Sequence, residues 1–381
     1  MIVFTNPGGM DPDKIRMAYN NDIVRFYSDT LQPQRYCDVT APGLSIRLYP
    51  APDGTFFLNF KPFVTALINT RYFADDLATD LDVTDPETFI YDFTDGVYMY
   101  RTVTFTIALA NDTEDTEDYI LSWMAGVQQI GEYVRLSRSE DHILLPFKKD
   151  TVNTHYAKYW QGYPFDISLY LTGANLYIDN TTNLLSAEFE RKGFINRLFL
   201  SDGRTDETIE DVLPLVESHN LLRVKKQSGN TVNDKFIALY KQSYKCGVYL
   251  KWLNNFGGYS YWLFEDTYAL DRAAKSIGEL DNDTNNLNDA VGRALNMGQQ
   301  GNDTIKIIAE LLTDDDMAIV QGVIDSPKVY MFIGQPFAKS DTNDWVEITL
   351  KTNSIRIKNF KQKLTNVALD FDLPERYTQT L

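Results

Sequence analysis

Apolar and polar residues alternate in short bursts along most of the chain. Ile23 to Tyr27, Leu44 to Tyr49 and Phe56 to Phe60 are such bursts, punctuated by Pro33, Pro42-Gly43, Pro50-Ala51-Pro52 and Asp53-Gly54. A period of two, bounded by Pro, Gly and Asp-Gly, predicts strands joined by tight turns. Phe89 to Phe93 and Val97 to Leu109 extend the pattern, the second alternating through Tyr98, Tyr100, Val103, Phe105 and Ile107. The acidic run Asn111 to Asp118 is expected to be a solvated loop ahead of Tyr119 to Met124. Strands are expected again at Tyr133 to Leu136 and Ile143 to Phe147.

Beyond the Lys148-Lys149-Asp150 corner the period of two returns at Phe165 to Leu171, Leu176 to Ile178, Ser186 to Phe189 and Phe194 to Leu200. Pro214 argues against one long helix between Asp206 and Lys226, leaving a short helix or a hairpin. Phe236 to Tyr240, Cys246 to Leu253 and Tyr259 to Phe264 complete a second set of strands. Residues 275 to 303 then turn rich in Asn, Asp and Gly, the composition of a long loop or projecting arm. Thr304 to Ile324 reads as a helix, with Ile307, Ile308, Leu311 and Leu312 sharing a face and Asp303 as its cap. Strands follow at Val329 to Ile333, Trp345 to Leu350, Ser354 to Lys358 and Leu364 to Phe371.

The expected architecture is mainly β: antiparallel β-sandwich or barrel-like domains with a minor helical C-terminal part. The divisions are a β domain over 1–150, a second over 151–274 with an aromatic hairpin, the loop or arm over 275–303, and a helix, strands and tail over 304–381. The segment through Met10, the loop 275–303 and the tail from Pro374 are candidate arms.

Composition narrows the function. Aromatic residues make up 13% of the 381, an excess that suits sheets and protein interfaces. The net charge of −17 repels phosphate backbones and anionic lipid, which argues against sequence-specific nucleic-acid binding and membrane association. Residues 1–150 carry much of it, with 12 Lys/Arg against 23 Asp/Glu. No apolar run is long enough to span a bilayer and the start lacks the marks of a signal peptide, so a soluble product is expected.

The search for chemistry comes back thin. His142, His155 and His219 have neither the mutual spacing of helical metal ligands nor cysteines nearby, and Cys37 and Cys246 are expected as buried reduced thiols. Nucleophile-elbow, Walker and dinucleotide glycine patterns are missing. The acidic stretches at Asp75-Asp76, Asn111 to Asp118, Asp281 to Asp289 and Asp314 to Asp316 suggest calcium. An EF-hand counted from Asp281 nevertheless puts Asn286 where glycine belongs and Gly292 where the bidentate Glu belongs. No cofactor, metal or catalytic residue is assigned.

The aromatic clusters remain: Tyr159-Trp160-Gln161-Gly162-Tyr163-Pro164-Phe165-Asp166-Ile167, and the run from Tyr249 to Phe264 around Asn254-Asn255-Phe256-Gly257-Gly258. The second reads as a hairpin with Tyr249, Lys251 and Leu253 on one face, Leu250 and Trp252 on the other, and large residues on both. Such a hairpin needs cover on each side. Trp160, Tyr163, Phe165, Tyr249, Trp252, Tyr259, Tyr261 and Trp262 are therefore the candidate interface. The two segments resemble parts of virion proteins from tailed phages of Bacteroidetes, crAss-like phages included. That resemblance implies a non-enzymatic subunit of a homo-oligomeric ring in the neck or tail, assembled in the host cytoplasm with neighbouring virion proteins. Alternatives are a carbohydrate-binding baseplate protein or adhesin, and a glycan hydrolase.

Overall fold

The computed structural model describes the chain except residues 6–9, 150, 226–233, 266–267, 282–293, 335–343, 353, 359–361 and 381. Strands dominate it, arranged in several sheets that are antiparallel apart from two pairings. A three-stranded sheet joins Ile2–Phe4, Ile23–Ser28 and Phe56–Asn59. It faces a six-stranded sheet whose longest members, Tyr98–Leu109 and Glu114–Met124, form a continuous hairpin. Alternation does the work here: Val24, Phe26 and Ser28 turn inward while Ile23 and Arg25 face water. The inward rings meet edge to face, Phe26 with Phe105 at 5.1 Å and Phe4 with Phe105 at 5.4 Å.

A four-stranded sheet follows, with Phe165–Tyr170 and Ile195–Ser201 flanked by His142–Ile143 and by Ile90–Asp92. Strands from both sides of residue 150 thus share one sheet. A five-stranded sheet holds Thr154–Trp160, Lys235–Gln242, Ser218–Lys225, Asn175–Asn180 and Leu185–Glu190. The seven-stranded sheet runs in the order Tyr259–Glu265, Gly247–Leu253, Val329–Phe332, Trp345–Leu350, Thr365–Asp372, Gln299–Leu312 and Tyr268–Ser276. One contiguous set of buried side chains runs from Ile2 to Phe371 and ties the sheets together.

Several expectations need correction. Thr304 to Leu312 is strand, not helix, because Ile305, Ile307 and Ala309 are buried at every second position while Ile308 and Leu311 are exposed. The true helix starts later, at Asp314–Val320, followed by a single turn at Gly322–Asp325. Its cap is Thr313, whose hydroxyl accepts from the Asp316 backbone while the Asp316 carboxylate accepts from the Thr313 backbone. Asp303 instead pairs with Arg272 and Arg376. The helix Lys61–Ile68, opened by Pro62 in its first turn, was not expected.

The acidic run is only partly loop. It turns at residues 110–113, and Glu114 to Asp118 already belong to a strand, their carboxylates alternating along a half-solvated hairpin. Tyr133 to Arg135 and Ser354 to Lys358 are not strands. The segment 275–303 lies partly outside the described residues, as does the acidic stretch from Asp281 to Asp289. Its described part is strand, not loop. The chain from Pro374 is no free arm, since Arg376 pairs with Asp303 and Thr380 bridges to Gly298. Cys37 is buried as expected, but Cys246 is exposed.

Candidate functional site

The eight aromatic residues nominated as an interface are all buried inside the chain, none more than 4% exposed. Six of them pack in ring pairs: Trp160 meets Trp262 at 5.2 Å, Tyr163 meets Tyr249 at 4.6 Å, and Phe165 meets Tyr261 at 5.2 Å. Tyr163 and Tyr249 each donate a hydroxyl proton to a backbone carbonyl, of Lys245 and Pro164. Tyr259 lies over charged side chains described next, and Trp252, on the opposite face, lies beneath the turn Gly322–Asp325. The hairpin is covered on both faces, as its composition demanded. The cover comes from the chain's own sheets and helices, so these residues do not form an exposed docking surface.

Within that aromatic packing sits a cluster of charges. Arg197, from strand Ile195–Ser201, reaches Asp166 on the neighbouring strand at 2.7 Å and Asp75 at 2.9 Å. Lys251, from strand Gly247–Leu253, reaches the other Asp75 oxygen at 2.6 Å, and the Tyr261 hydroxyl donates to Asp166. Two cations and two carboxylates thus balance. Rings enclose both cations: Tyr259, Phe199 and Phe93 lie within 5.1 Å of the Arg197 guanidinium, and Trp345 lies 4.1 Å from the Lys251 nitrogen.

The energetics are those of a buried network. Burial by itself would raise Asp75, but the charges of Arg197 and Lys251 outweigh it and hold the carboxyl well below its usual range. Burial lowers Lys251 to about 8 despite the attraction of Asp75, helped by repulsion from Arg197. Burial likewise works against the Arg197 charge, yet Asp166 and Asp75 keep the guanidinium firmly protonated. Losing one partner leaves an uncompensated charge in a dry interior.

A cavity of about 290 Å3 borders the cluster, lined also by Asp202, Arg204 and Asp344. Among the described residues, Arg197 Nε, Asp202 Oδ2 and the Tyr259 hydroxyl find no hydrogen-bond partner. Chemically, the arrangement clamps the loop after helix Lys61–Ile68 onto three strands from two different sheets. The Lys251 nitrogen faces a carboxylate and an indole ring, which suits a tether. Among the described residues no group of three or more His, Cys, Asp or Glu is placed to hold a metal ion.

Asp75 was singled out from the sequence only as part of an acidic stretch for calcium, and Asp166, Arg197 and Lys251 were given no functional role. One signal was available: Lys251 lies on the same strand face as Tyr249 and Leu253, and a lysine on an aromatic face calls for a buried anion. Which anion it would be, Asp75 at a separation of 176 residues, no local pattern contains.

The second feature is a projecting hairpin. Tyr268–Ser276 pairs antiparallel with Gln299–Leu312, and beyond it Glu279–Asp281 pairs with Ala294–Asn296. All nine residues of Tyr268–Ser276 are exposed, and the strand forms the edge of the seven-stranded sheet. Apolar side chains line the hairpin in the open: Tyr268, Leu270, Ile277, and the directly opposed pair Leu280 and Leu295. Two ion pairs hold the long strands, Arg272 with the buried Asp303 and Lys306 with Asp271 at the surface.

No protein-family model matches the chain and no curated protein matches its sequence. Among solved structures it is similar to the fibronectin(III)-like modules of CbhA from Clostridium thermocellum. The TM-score there is 0.21 and the identity 6%, over 64% of this chain and 95% of that one. It is also similar to a structure of a 1.5-MDa bacterial ice-binding adhesin, with a TM-score of 0.18 and 6% identity over 80% of this chain and 91% of the other. These are distant likenesses among layered β folds, and no function follows from them.

Proposed function

We propose that this chain is a non-enzymatic structural subunit that joins copies of itself, through the hairpin Tyr268–Leu312, into a closed ring in the neck or tail of a phage virion. The observation that carries the reading is the hairpin's state as a free chain. An unpaired sheet edge is a template for another strand, and the outer strand of this hairpin, Tyr268–Ser276, is exposed at all nine positions. The hairpin adds exposed apolar side chains, including the cross-strand pair Leu280 and Leu295. A neighbouring subunit that takes up that edge covers them. Contact between an arm and a different surface is heterologous, and such contacts close into rings when the rotation between copies permits. The phage setting rests on the resemblance of the segments around Trp160 and Trp252 to virion proteins.

The ionic cluster fits this role, since an arm that transmits load needs a stiff anchorage. Light scattering of the purified protein across a range of concentrations tests the proposal. A concentration-dependent shift to one large closed oligomer, abolished by Leu280→Lys with Leu295→Lys while circular dichroism stays unchanged, is the expected outcome. A monomer at every concentration would overturn it.

A further inference from the structure

Trp252 is fully buried, yet its indole N–H has no hydrogen-bond partner among the described residues. Buried indole donors are ordinarily satisfied, so this one asks for an acceptor. It sits on the wall of a cavity of about 690 Å3, in the range of small-molecule sites. Three parts of the chain form that cavity: the strand end Trp252 to Asn255, the loop Ala125 to Gln129, and the helical turns from Ala318 to Asp325. Gly322 lines it as well. A Cβ built there would lie 3.1 Å from the Trp252 nitrogen, tighter than an ordinary side-chain contact, so a side chain at this position would press on the N–H. The walls are mainly apolar, with Phe73, Ile319 and Ile355 among them. Glu132 and Asp325 are the charged side chains of the lining among the described residues, and no described basic residue accompanies them.

We propose that this cavity binds a small apolar molecule carrying a carbonyl or hydroxyl oxygen, neutral or cationic, with that oxygen accepting the Trp252 N–H. The two carboxylates select against anions. This site is separate from the projecting hairpin and stands whether or not the chain forms rings.

The test uses the full chain with labelled indole nitrogens and hexanamide as probe. The Trp252 signal is assigned as the one lost in Trp252→Phe, and, should that variant not fold, as the one moved most by Gly322→Ala, a change a helical turn accepts. Hexanamide is expected to shift the Trp252 N–H saturably while the other four tryptophans stay still. Hexanoate, with the same chain and a negative charge, should bind at least about tenfold more weakly. Gly322→Leu, which fills the space, should abolish the shift. No shift at the solubility limit, equal binding of hexanoate, or a shift that survives Gly322→Leu would each overturn the proposal. A Trp252 signal that moves with protein concentration alone would also overturn it, because a second copy would then be the occupant.

Discussion

Two hairpins follow one another in the chain and end on opposite edges of the same sheet, yet they meet opposite fates. Gly247–Glu265 is buried on both faces among rings, while Tyr268–Ser276 is exposed along its whole length and its partner Gln299–Leu312 buries one face only. Both contain cations paired with aspartate. In the first, Lys251 and Asp75 are sealed from water, and in the second, Arg272 is about half exposed beside Asp303. Identical chemistry therefore has different weight. A sealed pair cannot lose a partner cheaply, whereas a solvated one exchanges its partner for water.

Substitutions sharpen this contrast. Asp75→Asn should have the largest effect, about 3 to 5 kcal/mol of folding stability, because Lys251 and Arg197 lose their shared anion. Urea unfolding measures it, and adding Lys251→Met should recover part of the loss. An unchanged midpoint in the single variant would break the contrast. Trp262→Ala should cost a similar or slightly smaller amount, about 3 to 5 kcal/mol for a large aromatic lost from a packed core, with the oligomer mass of the surviving folded protein unchanged. A loss of assembly without a loss of stability would return the aromatic pairs to the status of an interface.

The next effect depends on pH. His155 is buried against Phe147, whose ring also packs on Phe256 in the turn of the aromatic hairpin, and burial lowers the imidazole to about 4. Between about pH 6.5 and 4 the unfolded chain binds a proton that the folded chain refuses. Stability should therefore fall as the pH drops through that window, by about 3 kcal/mol from this group. Across the window the unfolding midpoint of the protein should fall relative to that of His155→Gln, which lacks the titrating group, and parallel curves would remove His155 as the cause. The smallest effect should be that of Arg272→Ala, with no resolvable change in the urea midpoint, since Arg272 is about half exposed and the buried Asp303 keeps Arg376 as a partner. A clear destabilisation there would show that the projecting hairpin is not as independent as its exposure indicates.

Much of the fold was legible. Ile23–Ser28, Tyr98–Leu109, Phe165–Tyr170, Gly247–Leu253 and Trp345–Leu350 stand where alternation places strands, and the Gly257-Gly258 turn folds the aromatic hairpin as expected. The failure at Thr304–Leu312 is instructive. Ile305, Ile307, Ile308, Leu311 and Leu312 satisfy a helical face about as well as a strand face, and pairing with Thr365–Asp372 and Tyr268–Ser276 decided between them. That information lies 68 residues away on one side and 33 on the other, as the register Thr304 with Asp372 and Asp271 with Thr304 shows.

The sequence by itself determined that this is a β protein, where its tight turns fall, and that its aromatic hairpin requires cover on both faces. These properties follow from neighbours: steric preference, alternation, and the cost of exposing large rings. Tertiary structure alone decided what supplies the cover, which anion Lys251 finds, why Trp252 keeps a free N–H beside Gly322, and which hairpin is left in water. Each of those depends on groups brought together from distant parts of the chain, and local periodicity carries no record of such distances.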